Sequence, residues 1–464
     1  MRKLVPVLVA LLLTACNQTT GTPPAHHTPA IHLGGLLGKA AYAVDIPDDW
    51  NGTLFLYSHG YVAPGGYNQA QEGPPGDAQG WLLVHHYAVA GSGYSSSGWA
   101  LEDAFKDQIA LLDFITQRVG KPKRVVAWGE SLGGIITAGL LQLYPDRFAA
   151  AMPMCGVLSG AIATWNTELD AAYAFKTLLG PSSALRIVHV GDGAANLQLA
   201  ESIFNAATQT PQGRARLALV AALIDLPGWF DPTKIEPIAA DYADRLLAQE
   251  RWESLVDFPF AFQYRTELEA RAGGNPSWNV GVHYGDLLAN SPSRDEVTAL
   301  YRLSGLDLNV DLTTLDTGAT IKPDPAAAQY LARYIAFDGK LAVPVLSMHT
   351  TGDGLVIPPN ESAYAQVVGD AGGQDLLRQV FVHRAGHCAF TGAETIAALQ
   401  ALLKRLDGGR WDDIALKPEA LNAAAGKLGA HESTIFGFTF DPAYVTYKPA
   451  PYPRPFNAGA TIPT

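Results

Sequence analysis

With 464 residues, 48% of them hydrophobic and 16% charged, the chain is long enough to bury one or more full cores. A formal charge of −12, with no basic stripe carrying interleaved aromatics, excludes nucleic acid as a partner. The scattered histidines and three cysteines match no zinc spacing, and neither a phosphate-binding loop nor a dinucleotide fingerprint is present, so the sequence predicts no metal and no cofactor.

Arg2 and Lys3 precede an apolar run from Leu4 to Leu13 that only Pro6 interrupts. That run falls well short of the roughly 20 residues needed to span a bilayer and reads as an export segment. Leu13-Thr14-Ala15-Cys16 resembles a bacterial lipobox, so residues 1–16 are read as a lipoprotein signal peptide with Cys16 as the lipidated residue. Acyl chains there would hold the protein at a bacterial membrane or cell envelope without crossing it, each buried methylene adding about 0.8 kcal/mol. Residues 17–35 are rich in Thr, Pro and His, lack apolar periodicity and read as a flexible tether.

Folded structure is expected from Leu36 onward. The apolar runs 54–57 and 87–90 predict strands, each followed by a Gly turn, with a short helix over 81–84 between them. Leu101, Phe105, Ile109, Leu112 and Ile115 recur at helical spacing and predict a helix over 101–118. A strand at 124–128, a helix at 132–144 and a strand at 149–154 continue the alternation. It stops over a mostly helical interval, 156–329, containing Trp165, Trp229, Trp252 and Trp278. It resumes with strands at 343–350 and 379–382 and a helix at 394–406. The pattern predicts an α/β fold: a mostly parallel central sheet flanked by helices, built from 36–155 and 330–430, with 156–329 as a helical cap insertion. The Pro- and Tyr-rich tail, 431–464, is expected to lie extended over the surface.

Gly129-Glu130-Ser131-Leu132-Gly133 is the one G-x-S-x-G in the chain, and it stands between a predicted strand and a predicted helix. That is the context a nucleophile elbow requires: Gly129 and Gly133 clear room for a tight turn, and the helix N-terminus faces developing oxyanion charge. Ser131 needs a base to take its proton. Among His59, His283, His349, His383 and His387, the last lies after the final core strand and gives the chain order serine, acid, histidine. Asp353 follows the 343–350 strand and is the candidate orienting acid; Asp338 precedes that strand and Asp370 sits in a turn after a helix. The Leu132 N–H and the Tyr61 N–H, after Ser58-His59-Gly60, are the candidate oxyanion donors.

The ordered set His59-Gly60, residues 129–133, Asp353 and His387 resembles the α/β-hydrolase superfamily. Residues 91–99 and 386–390 are similar to secreted bacterial esterase and peptidase-like members. The resemblance covers 36–155 and 330–407; the cap and the tail are outside it. Cys155 and Cys388 both fall at the predicted active-site end of the sheet, where a disulfide would fix the His387 loop; two buried thiols are the alternative.

The function expected is hydrolysis of a small-molecule carboxylic ester through an acyl-enzyme on Ser131, with the cap aromatics suggesting an apolar or aromatic acyl group. The alternative on the same fold is a serine peptidase or aminopeptidase, for which Glu168, Asp170, Glu267 and Glu269 are available to hold a free amine. A non-catalytic hydrolase-fold binding protein is the third reading, and it predicts a broken triad.

Overall fold

A computed structural model describes residues 30–429 and 431–463. The signal segment, Cys16 and the first part of the tether lie outside them. Among the described residues no helix is long and apolar enough to cross a membrane. The chain divides into two compact units. Unit 1 takes the described residues up to Leu158, Gly339–Thr351 and Ala365–Tyr447, and unit 2 takes Ser159–Asp338, Gly352–Tyr364 and Lys448–Thr464.

Unit 1 is built on a nine-stranded sheet. In chain order its elements are β1 (Ile31–Leu37), β2 (Ala40–Ile46), β3 (Thr53–Ser58), α1 (Ala78–Val84), β4 (Ala88–Ser92), α2 (Leu101–Arg118), β5 (Arg124–Glu130), α3 (Leu132–Leu143), β6 (Ala150–Met154), β7 (Val345–Gly352) and β8 (Leu377–Ala385). The strands lie in the order β1-β2-β4-β3-β5-β6-β7-β8, with the two-residue strand Tyr444–Val445 added beside β8. Pairing is parallel from β4 through β7, and antiparallel for β1 with β2, β2 with β4, and β8 with Tyr444–Val445.

The parallel centre explains the sequence pattern. Every residue of β3, β4 and β6 is buried, because helices cover both faces, so these strands read as continuous apolar runs. Their core joins Phe55, Tyr57, Trp128, Met152, Met348 and Val382 to Ile396, Leu399, Leu402 and Leu403 of the helix Gly392–Gly408. Phe55 and Tyr57 meet Trp128 edge-on, at centroid distances of 5.9 and 5.2 Å.

Two expectations about boundaries change. Residues 31–35, read as tether, form most of β1, an edge strand whose exposed residues and paired glycines carry no apolar alternation. The tail is divided rather than laid over the surface. Tyr444–Val445 extends the sheet, and Lys448–Thr464 belongs to unit 2, where Tyr452 is buried and Phe456 packs edge-on against Trp278.

Unit 2 is helical, and its tryptophans are packing residues. Trp165, Trp229, Trp252 and Trp278 are all buried. The Trp252 indole donates to the Trp229 carbonyl at 2.9 Å, and the Trp229 indole donates to the carbonyls of Asp231 and Lys234. These rings fill the unit's own interior, so the inference from them to an aromatic acyl group loses its support. Asp170, on α4 (Ala161–Leu179), joins the tail to this unit: it accepts from Arg454 at 2.8 Å and from the Tyr284 hydroxyl at 3.0 Å.

Candidate active site

Ser131 stands between the end of β5 and the start of α3 at φ 60° and ψ −123°, a left-handed backbone that a side-chain-bearing residue keeps only when its surroundings enforce it. The enforcement is visible. A Cβ on Gly129 would stand 2.4 Å from the Ser58 carbonyl oxygen, and one on Gly133 only 1.8 Å from that oxygen. Gly134, outside the five-residue pattern, would meet the Gly156 Cα at 2.4 Å. Three glycines therefore let α3 press against β3 and against the loop after β6. The Ser131 N–H donates to the Met154 carbonyl at 3.0 Å and fixes the turn to β6.

On the other side of the serine is the loop after β3. A Cβ added at Gly60 would lie 3.4 Å from the Ser131 Cβ, so the Gly60 backbone borders the serine side chain directly. Tyr61 follows in this loop, and Leu132 opens α3. His59 faces the interior: it is buried, stacks on Tyr94 at 4.1 Å and lies 2.8 Å from the Gly60 carbonyl through Nδ1. Burial lowers its pKa to about 4, so it is neutral and serves as packing. Glu130, next to the serine, is pushed up to about 8 by burial, while a hydrogen bond from the Tyr57 hydroxyl opposes the shift.

Cys155 and Cys388 are joined in a disulfide with Cα atoms 5.3 Å apart. Cys155 directly follows Met154, the residue that holds the Ser131 N–H, and donates its own N–H to Met348 of β7 at 2.7 Å. Cys388 follows His387, whose Nε2 lies 3.3 Å from the Cys388 sulfur. The Thr350 hydroxyl donates to the Gly386 carbonyl at 2.7 Å, tying the same loop to the end of β7. Unit 1 thus gathers the elbow serine and the His387 loop at one end of its sheet.

Asp353 belongs to unit 2 and directly follows β7 in the chain. It is fully buried, and its Oδ1 accepts from the N–H groups of Leu355 and Val356, each at 3.0 Å. The two amides hold the carboxyl in one orientation.

Two groups of described residues bring three ligand-type atoms together: Cys155, His387 and Cys388, and Asp77, His431 and Glu432. The sulfurs of the first are bonded to each other and offer no thiolate to a metal.

Residues 93–179, which include the elbow, match the prolyl oligopeptidase family. The o-phthalyl amidase of Xanthobacter agilis is 28% identical over 447 residues, spanning 87% of this chain and 93% of the relative. Solved structures similar to the chain include an esterase from Aspergillus oryzae, at 12% identity and a TM-score of 0.40, covering 82% of this chain and 79% of that one. The rice cell wall degrading esterase LipA from Xanthomonas oryzae gives 15% identity and a TM-score of 0.33, covering 80% of this chain and 83% of that one. With its strand order, its strand–serine–helix turn, the prolyl oligopeptidase match and the amidase relative, the chain is a serine hydrolase with an α/β-hydrolase fold.

Proposed function

We propose that the chain hydrolyses carboxylic esters through an acyl-enzyme on Ser131. The observation that carries this reading is Ser131 held at φ 60° between Gly129 and Gly133, at the N-terminus of α3. In this reading the turn presents the hydroxyl clear of the strand, and the Leu132 N–H receives the developing negative charge, with the Tyr61 N–H as the second donor. His387 takes the serine proton during attack and returns it to the leaving alkoxide; Asp353 orients the imidazole, as chain order suggests. Water then attacks the acyl-enzyme, with His387 again as base, and releases the acid and the free serine.

Amide hydrolysis is the second reading, favoured by the o-phthalyl amidase relative. Both bonds pass through the same tetrahedral intermediate and differ in the leaving group that His387 must protonate. Turnover of 4-nitrophenyl butyrate against its 4-nitroanilide counterpart separates them. The ester reading predicts a kcat/KM at least a hundredfold higher for the ester; equal or greater turnover of the anilide reverses the assignment.

The lipid tether at Cys16 is part of the proposal and rests on the lipobox resemblance alone. Release of the protein from membranes on Cys16→Ala is the expected result, and an unchanged membrane fraction would remove the tether from the account.

A further inference from the structure

Asp77, His431 and Glu432 converge within unit 1 and take no part in the reaction described above. Asp77 immediately precedes α1, a position where an aspartate ordinarily accepts from the first N–H groups of the helix. Here its side chain caps nothing. Its Oδ1 lies instead 2.3 Å from where a Cβ on Gly80 would stand.

Glu432 approaches from the tail. Its carbonyl accepts from the Ala393 N–H at 2.7 Å, which pins the segment to the start of the helix Gly392–Gly408. Glu432 Oε2 is buried and has no hydrogen-bond partner among the described residues. It lies 2.8 Å from where a Cβ on Gly392 would stand. A side chain at either glycine would therefore take the space that these two carboxylates occupy. His431, which is exposed, places Nδ1 3.7 Å from Glu432 Oε1. One ligand atom from each of the three side chains lies within 4.8 Å of the others. Two carboxylates held this close repel each other, and a buried acceptor left unpaired is costly. A cation held among the three offsets both effects.

The donor set selects the ion. Calcium and magnesium take oxygen ligands, whereas an imidazole nitrogen combined with carboxylate oxygens suits zinc, with bonds of about 2.0–2.2 Å. Atoms sharing such an ion stand roughly 3–4 Å apart, a spacing that His431 Nδ1 and Glu432 Oε1 already meet at 3.7 Å. We propose that Asp77, His431 and Glu432 bind one zinc ion, with water completing its coordination. The ion fastens the segment leading to the final strand, Tyr444–Val445, onto the loop ahead of α1, so its binding adds to the stability of unit 1. This role is separate from ester or amide hydrolysis and does not depend on the assignment of Ser131. The other convergent group, Cys155, His387 and Cys388, is closed by its disulfide and does not compete while that bond is intact.

The test is calorimetric titration of the full chain, stripped with chelator and kept free of reductant, with zinc chloride, calcium chloride and magnesium chloride. Thermal unfolding is followed with and without zinc. The site predicts one zinc ion per chain, bound at least a hundredfold more tightly than calcium or magnesium, and a higher Tm when zinc is added. His431→Ala removes an exposed ligand without disturbing the packing; it lowers zinc affinity at least tenfold and abolishes the rise in Tm. Glu432→Gln keeps the shape of the side chain and also lowers the affinity at least tenfold. Absence of zinc binding, which would leave the two carboxyls to share a proton, overturns the site. So does calcium or magnesium binding as tight as zinc, or undiminished zinc affinity in either folded variant.

Discussion

At the scale of single residues, the account depends on backbone that ordinary side chains avoid. Ser131, Cys155 and Cys388 all adopt positive φ, at 60°, 41° and 51°, and all three lie in the part of unit 1 that gathers the elbow and the His387 loop. The glycines around Ser131 answer the crowding this creates. Gly133→Ala would put a methyl group 1.8 Å from the Ser58 carbonyl oxygen, a clash between backbone and Cβ that no rotamer relieves. It is expected to destabilise the fold by at least about 3 kcal/mol and to abolish activity, read by urea denaturation and ester turnover. An active variant of native stability would contradict the contact. The requirement was legible in the sequence because strand, serine and helix are contiguous. Gly134 was not, since its partner Gly156 lies in a loop 22 positions on and no local pattern marks it.

At the scale of elements, the last part of unit 1 is organised around one buried carboxylate. Glu394, third residue of the helix Gly392–Gly408, accepts two bonds from Arg384 of β8, at 2.7 and 3.0 Å. It also accepts from the Thr391 N–H, completing a capping box, and from the Ala443 N–H ahead of the final strand. The Tyr444 hydroxyl donates to the Glu394 carbonyl at 2.6 Å. A strand, a helix and the tail therefore meet at a single side chain. Glu394→Gln leaves Arg384 buried without its counter-charge and is expected to cost about 3–5 kcal/mol, measured as a shift in the urea midpoint; a shift below ~1 kcal/mol would show the network to be dispensable. The helix was read from the sequence as 394–406, within two residues of each end, without the Thr391–Glu394 capping box that marks its start. The two-residue strand at Tyr444 was not, because its pairing with β8 is set by this long-range network rather than by any strand pattern of its own. β1 escaped for a related reason: its backbone pairs with β2 while its side chains stay largely exposed.

At the scale of the whole molecule, acidity is buried as well as displayed. Burial pushes Glu72 and Glu130 up to about 8, Asp225 to about 7 and Asp170 to about 6, the last despite the attraction of Arg454. Each binds its proton more tightly folded than unfolded. Their contribution to stability is therefore complete below about pH 4 and is lost as pH rises through 6 to 8. For Asp170 alone the loss is on the order of 3 kcal/mol. The urea midpoint should accordingly be higher at pH 5 than at pH 8.5, and the reverse order would show these carboxyls to be solvated. Composition announced an acidic chain without showing which acids are interior, since burial belongs to the packed units and not to residue type. The parallel sheet and the elbow were legible because they come from local apolar runs and glycine sterics; the convergence of Asp77 with His431 and Glu432 was not, because most of the chain separates Asp77 from the other two and no spacing marks it.

The central claim is that Ser131 is the nucleophile. Reaction of the purified chain with a fluorophosphonate probe, followed by mass analysis of the labelled peptide and the same assay on Ser131→Ala, tests it most directly. The account predicts a single adduct on Ser131, loss of 4-nitrophenyl butyrate hydrolysis in step with labelling, and neither labelling nor turnover in the variant. An adduct on another serine, or a Ser131→Ala protein that still turns over the ester, would contradict it.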